Sequence, residues 1–169
     1  MPAALHLCRL GYTYLDDIAD YNPDTNILTG IFLRSLRRLN PELDETGSRQ
    51  MLDKIVGMLR NDDLGREFYA LLSANSGLKL VDFENADNNE WHVTTEFTCE
   101  NSDTGDSFRP DITCFVNGLP LAFIEVKKPN NHDGILAERD RINRRMSNKA
   151  FRRFINITQL MIFSNNQEY

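Results

Sequence analysis

Three residues in the second half of the chain have types and spacing suited to phosphodiester chemistry. Glu125 and Lys127 stand two apart in the run Ile124-Glu125-Val126-Lys127-Lys128. In a strand both would project from one face, with Ile124 and Val126 on the other. A glutamate and a lysine in so apolar a run are costly to bury without partners. Asp111 follows Arg109-Pro110 at the head of the preceding β-like run and comes close to Glu125 once the two runs fold back on each other. Converging carboxylates raise each other's pKa and relax when they share a hard cation. An ammonium beside that cation can orient a water or stabilise a pentacovalent phosphate. Oxygen ligands, an activated water and a positive charge are the parts that metal-dependent phosphodiester hydrolysis requires. The structural alternative for the same three residues is an ion-pair network at a strand edge.

The elements that must position them can be read from the pattern around them. Residues 111–116 (DITCFV) and 121–127 (LAFIEVK) read as strands, and Asn117-Gly118 between them is a strong signal for a two-residue hairpin turn. Such a turn pairs Val116 with Leu119 and sets Asp111 opposite Ile124, leaving Glu125 on the wrong face. The site therefore needs one extra residue in one strand. Pro120 cannot donate to a ladder, so a bulge or bend is expected between Val116 and Glu125, beside it. Residues 91–99 (WHVTTEFTC) supply the first strand of a three-stranded meander, and 78–83 (LKLVDF) also alternates like a strand. A polar helix over 135–146 then leads to the apolar run 157–163 (ITQLMIF), expected as a buried strand parallel to a neighbour. Upstream, helical spacing is visible over 26–40, 42–60 and 63–75, the last capped by Asp62 or Asp63 and closed by Ser76-Gly77. The expectation is an α/β domain with a mixed sheet, preceded by a helical lobe over about residues 1–76.

Composition narrows the function classes. The 169 residues are 41% apolar and 26% charged, as in an ordinary folded domain, and no apolar run approaches the ~18 residues of a membrane span. Cys8, Cys99 and Cys114 are odd in number and lack a CxxC pair, which fits buried thiols in a reducing cytoplasm; for Cys99 and Cys114 a place side by side on adjacent strands is the alternative to plain burial, which is the default. The net charge of −6 hides an asymmetry: residues 127–153 hold nine basic and three acidic side chains. That block either faces a polyanion or is a solvated helical face. Trp91, Phe97, Phe115 and Phe123 are expected in the core. His6, His92 and His132 are scattered without zinc spacing. No phosphate-binding GxxxxGK[ST] loop is present, so ATP hydrolysis by that route is excluded for this chain.

Pro110-Asp111, thirteen intervening residues, then Glu125-Val126-Lys127 resembles the PD-(D/E)xK nuclease motif. The longer string FRPDITCFVNGLPLAFIEVKKP, with LGYTYLDD and RRLNPEL upstream, is similar to the N-terminal nuclease domain of the restriction subunit of type I restriction enzymes. The likeness covers nearly the whole chain. It implies a PD-(D/E)xK restriction-endonuclease-like core in a single nuclease domain over 1–169, with the catalytic part from about residue 77. It implies Asp111, Glu125 and the Val126 carbonyl as ligands of Mg2+, or Mn2+, and Lys127 as the catalytic lysine. It also implies cleavage of duplex DNA, leaving a 5′-phosphate, in a cytoplasmic complex with modification and specificity subunits. ATP would be used by helicase domains further along a longer polypeptide, of which this chain would be a fragment.

Next to such a site, Lys128, Arg139, Arg141, Arg144 and Arg145 are candidates for DNA phosphate contact without base readout. Two departures stand out. Many relatives carry QxxxY on the helix after the ExK strand, where this chain has DRINRRMSN. Many also carry a glutamate in an early helix, where this chain opens MPAALHLCRLGY, leaving Glu67 or Glu96 as substitutes. Two other readings stay open: a catalytically silent docking or DNA-binding module of the same fold, and a repair nuclease of the same superfamily.

Overall fold

The computed structural model describes residues 2–100, 107–126 and 132–164. Its centre is a five-stranded sheet of order β1-β2-β5-β6-β7. The strands are β1 (Thr13–Tyr14), β2 (Trp91–Thr95), β5 (Ile112–Val116), β6 (Leu119–Val126) and β7 (Leu160–Ser164). A separate two-stranded ribbon joins β3 (Cys99–Glu100) to β4 (Ser107–Phe108). β2, β5 and β6 form the expected antiparallel meander. The chain then crosses over through α5 (His132–Met146) and α6 (Arg152–Ile157) to β7, which lies parallel to β6. The sheet is therefore mixed, as a helical crossover demands.

The three helices upstream are α2 (Thr29–Leu39), α3 (Glu45–Met58) and α4 (Arg66–Leu72). Asp44 caps α3 by accepting from the Gly47 amide at 2.7 Å, and Asp63 accepts from Gly65 and Glu67 at the head of α4. α4 ends at Leu72, one turn short of Gly77. The apolar stripes of α2 and α3 meet Val116 and Leu119 of the hairpin in one buried cluster with Phe32, Leu36, Ile55 and Phe68. A second cluster packs Phe115 and Phe123 from one sheet face against Ile142 of α5 and Phe154 of α6. The opposite face carries Val93, Ile112 and Cys114 under α1 (Pro2–Arg9), through Ala3, Leu7 and Cys8.

Four expectations are corrected. Residues 1–76 are not helical throughout, because β1 belongs to the sheet, parallel to β2. Residues 78–83 are not a strand. Side chains take the backbone partners a strand would have found: the Asp82 amide donates to Asn89 Oδ1, the Leu80 carbonyl accepts from Asn117, and Asp82 Oδ1 accepts from the Glu84 and Asn85 amides. β7 is an edge strand, and Leu160 and Ile162 are exposed because α1 covers the other half of that face. Cys99 lies in the ribbon while Cys114 pairs with Val93 and Ala122, so the two are not strand neighbours. A turn is expected over 101–107 and a loop over 129–134; residues 101–106 and 129–131 lie outside the described residues, while Ser107 already belongs to β4 and α5 begins at His132, within the expected loop.

The hairpin tip is the point to which these layers are tied. Asn117 and Gly118 both have positive φ, 51° and 81°, as the two-residue turn requires. Asn117 is 1% exposed. It accepts from the Glu90 amide and donates to Leu80 and Asn89. The Gly118 carbonyl accepts from Leu28 at 2.9 Å, so α2 starts directly on the turn. Glu90, at the foot of β2, receives Arg34 of α2 at 2.6 Å and Ser35 at 2.9 Å. Burial pushes the Glu90 carboxyl up, but Arg34, Ser35 and Arg38 outweigh it and hold it below the usual carboxylate value.

Two outcomes follow from this anchoring. A Cβ on Gly118 would stand 2.7 Å from the backbone of both Leu28 and Phe32, so Gly118→Ala should destabilise the fold by about 2–4 kcal/mol in denaturant titration. Glu90 has a lowered pKa in the folded state, so its ionised form stabilises above the unfolded value of about 4.3 and that gain fades as pH falls through the folded value. Glu90→Gln should therefore cost on the order of 1 kcal/mol at neutral pH, with the deficit closing below about pH 4.

Candidate active site

Register places the two carboxylates. From the turn outward, Val116 pairs with Leu119 and Phe115 with Pro120, but Cys114 pairs with Ala122. Leu121 is the extra residue, a bulge immediately after Pro120, as the hairpin arithmetic requires. Its carbonyl accepts from the Gln159 amide at 2.7 Å, just ahead of β7, so the bulge is tied to the crossover. Beyond it Thr113 pairs with Phe123 and Ile112 with Ile124. Asp111 then stands across from Glu125. By alternation both share the face of Phe115 and Phe123, toward α5 and α6, while Ile112 and Ile124 belong to the α1 face.

Asp111 is half-buried, one residue ahead of β5, and its Oδ2 accepts from the Val126 amide at 2.7 Å. That bond crosses between the strands and fixes how the aspartate faces its neighbour. Glu125 is 5% exposed. A carboxylate that deep is tolerated only with compensating charge or hydrogen bonds. Two carboxylates at one register position form an all-oxygen donor set, of the kind that hard cations such as Mg2+ and Mn2+ take. Lys127 and Lys128 lie outside the described residues.

Neither candidate for a third acid joins this pair. Glu96 is a backbone neighbour, its amide donating to the Asp111 carbonyl at 3.1 Å, but its exposed side chain turns to Arg109 at 3.8 Å. Glu67 sits at the head of α4 and accepts from Asn61. Among the described residues no group of three or more His, Cys, Asp and Glu side chains gathers within range of a metal. His92 is buried on β2, where desolvation lowers its pKa. Burial pushes the Cys114 thiol up to about 11 and the Cys99 thiol higher still, so both behave as inert core residues.

Phe97, Phe115 and Phe123 are buried as expected, and Trp91 is half-buried against Tyr12. In α5, Ile142 is 2% exposed and seats the helix on the sheet, while Arg139, Arg141 and Arg144 are exposed. Of the Arg145 side chain nothing is described. The later part of the basic block is committed elsewhere: Arg152 bridges Asp62 at 3.0 Å and Arg153 bridges Asp24 at 3.0 Å. Sequence reasoning passed over two features of the site. One is the Val126 amide as the partner of Asp111. The other is Thr113, whose position two residues after Asp111 places it on the same face.

The family model for the N terminus of the type I restriction enzyme R protein matches residues 1–169. A type I restriction enzyme endonuclease subunit of Methanocaldococcus jannaschii, MjaIXP, is 30% identical over 155 residues. That match covers 77% of this chain and 15% of the relative. The HindI endonuclease subunit of Haemophilus influenzae is 32% identical over 114 residues, covering 56% of this chain and 10% of the relative. The chain thus corresponds to a small part of the length of these relatives. It belongs to the family of type I restriction enzyme R protein N termini.

Proposed function

We propose that this chain is a metal-dependent nuclease domain of the PD-(D/E)xK type, cutting duplex DNA phosphodiesters within a type I restriction complex. The observation that carries the reading is the Leu121 bulge. It turns Glu125 to the face of Asp111, where an unbroken hairpin would separate them. Asp111, Glu125 and the Val126 carbonyl would hold Mg2+ or Mn2+. A divalent cation bound there supplies Lewis-acid polarisation of a phosphoryl oxygen and makes water a stronger nucleophile. The Val126 amide keeps Asp111 directed across the strands, and burial of Glu125 removes competing solvent. Lys127, next in the chain after Val126, would place its ammonium to orient the attacking water and to stabilise charge on the phosphate.

The exposed arginines Arg139, Arg141 and Arg144, with Lys128 and Arg145, would contact backbone phosphates and hold the duplex without reading bases. Translocation by ATP, site recognition and methylation would belong to other parts of a cytoplasmic complex with modification and specificity subunits. Among the described residues no helix is long and apolar enough to cross a membrane.

In the full-length subunit assembled into its complex, Asp111→Ala, Glu125→Ala and Lys127→Ala should each lower magnesium-dependent DNA cleavage by about a hundredfold or more, with assembly and translocation retained. Cleavage that survives any of them overturns the assignment of that residue, and survival in all three makes the domain a docking module. A second outcome concerns the chain alone. Asp111→Asn keeps an acceptor for the Val126 amide and removes the charge opposite Glu125, so in chelator it should melt at or above the temperature of the parent. Added magnesium should raise the melting temperature of the parent and not of the variant.

A further inference from the structure

Four buried polar side-chain atoms among the described residues have no hydrogen-bond partner: Thr25 Oγ1, Asn26 Oδ1, His92 Nδ1 and Thr113 Oγ1. Thr113 is the one placed beside both carboxylates. It follows Asp111 by two residues on β5 and pairs with Phe123, two residues before Glu125. Along a strand and across a ladder, those offsets put it on the face of Asp111 and Glu125 and diagonal to Glu125. Same-face diagonal neighbours are about 7–8 Å apart at Cα, within reach of a hydroxyl and a glutamate side chain, directly or through one water. Thr113 is 2% exposed.

Its neighbour across the other ladder shows what a threonine here ordinarily does. Thr94 pairs with Thr113, and its hydroxyl donates to the Leu15 carbonyl at 2.7 Å. Thr94 thus spends its proton on structure, and Thr113 does not. Of its same-face neighbours, Phe115 and Phe123 offer no acceptor, while the Thr94 hydroxyl oxygen and the carboxylates of Asp111 and Glu125 do. A buried hydroxyl without a partner costs stability that an isosteric valine would not. β-Branched residues are favoured in a central strand, so valine would serve there equally well if filling space were all that was needed.

We infer that Thr113 is a positioning residue for the metal centre: with a divalent cation bound, its hydroxyl donates to the Glu125 carboxylate and holds it in the orientation that shares the cation with Asp111. This rests on the metal-site reading of Asp111 and Glu125. The hydroxyl takes no part in bond making; it sets the direction of a ligand, as outer-shell partners of metal sites do.

The test is Mn2+ binding by titration calorimetry on the 169-residue chain, with thermal unfolding in chelator, for the parent, Thr113→Val, Thr113→Ser and Asp111→Ala. Thr113→Val should melt no lower than the parent yet bind Mn2+ about tenfold more weakly, the loss of one hydrogen bond to a ligand. Thr113→Ser should bind within about twofold of the parent, whatever its melting temperature, because it keeps the hydroxyl. Parent-like Mn2+ affinity in Thr113→Val overturns the inference and leaves the metal centre standing. Equal weakening in the valine and serine variants also overturns it, since packing and not the hydroxyl would then be responsible. A parent whose binding is absent, or unchanged by Asp111→Ala, overturns the metal-site reading and this inference with it.

Discussion

One extra residue in one strand decides which side of the sheet Glu125 occupies. A two-residue turn at Asn117-Gly118 leads to a register in which Glu125 would point at Leu7 and Cys8 of α1, an apolar layer with nothing to offer a carboxylate. Leu121 breaks that register. The break falls next to Pro120, which has no amide proton to give the ladder. It is held by a bond from the Gln159 amide to the Leu121 carbonyl. The strand that must turn Glu125 over is therefore locked by the same segment that begins β7. The facing of Asp111 and Glu125 at one end of the hairpin depends on a backbone irregularity near the other.

The rest of the fold keeps that hairpin still. Its tip is clamped by Asn117, by the Leu28 amide and by the contact of Gly118 with α2. Its flanks are covered on one face by the phenylalanine cluster with α5 and α6, and on the other by α1. Ligand geometry in metal sites tolerates little slack, and strands buried on both faces supply the rigidity that loops do not. The helices upstream carry neither Asp111 nor Glu125, but through Phe32, Leu36 and Ile55 they pack on Val116 and Leu119. Their contribution is mechanical.

Much of this was legible in the sequence because it rests on local chemistry. The Asn-Gly turn, the alternation in residues 111–127 and the misplacement of Glu125 by one position together required a bulge, and Pro120 indicated where. The parallel β7 followed from the helical crossover. What escaped depended on partners remote in sequence. Residues 78–83 alternate like a strand, but Asn89 and Asn117 satisfy their backbone from elsewhere. β1 is two residues long and exists only because β2 is beside it. The exposure of β7 could not be read from an apolar run, since it depends on how far α1 reaches. The facing of Asp111 and Glu125 was legible from their types and spacing, whereas the Val126 amide that holds Asp111 carries no sequence signature, being backbone.

The central claim is that Asp111 and Glu125 share one cation. Anomalous diffraction from crystals of this domain grown with Mn2+ tests it most directly. The account predicts a manganese peak in contact with one carboxylate oxygen of each residue, at the roughly 2.0–2.2 Å typical of such oxygen ligands, and with the Val126 carbonyl. Full-occupancy manganese elsewhere, with Glu125 bound instead to a basic side chain, would contradict it and leave the pair as part of a structural ion network.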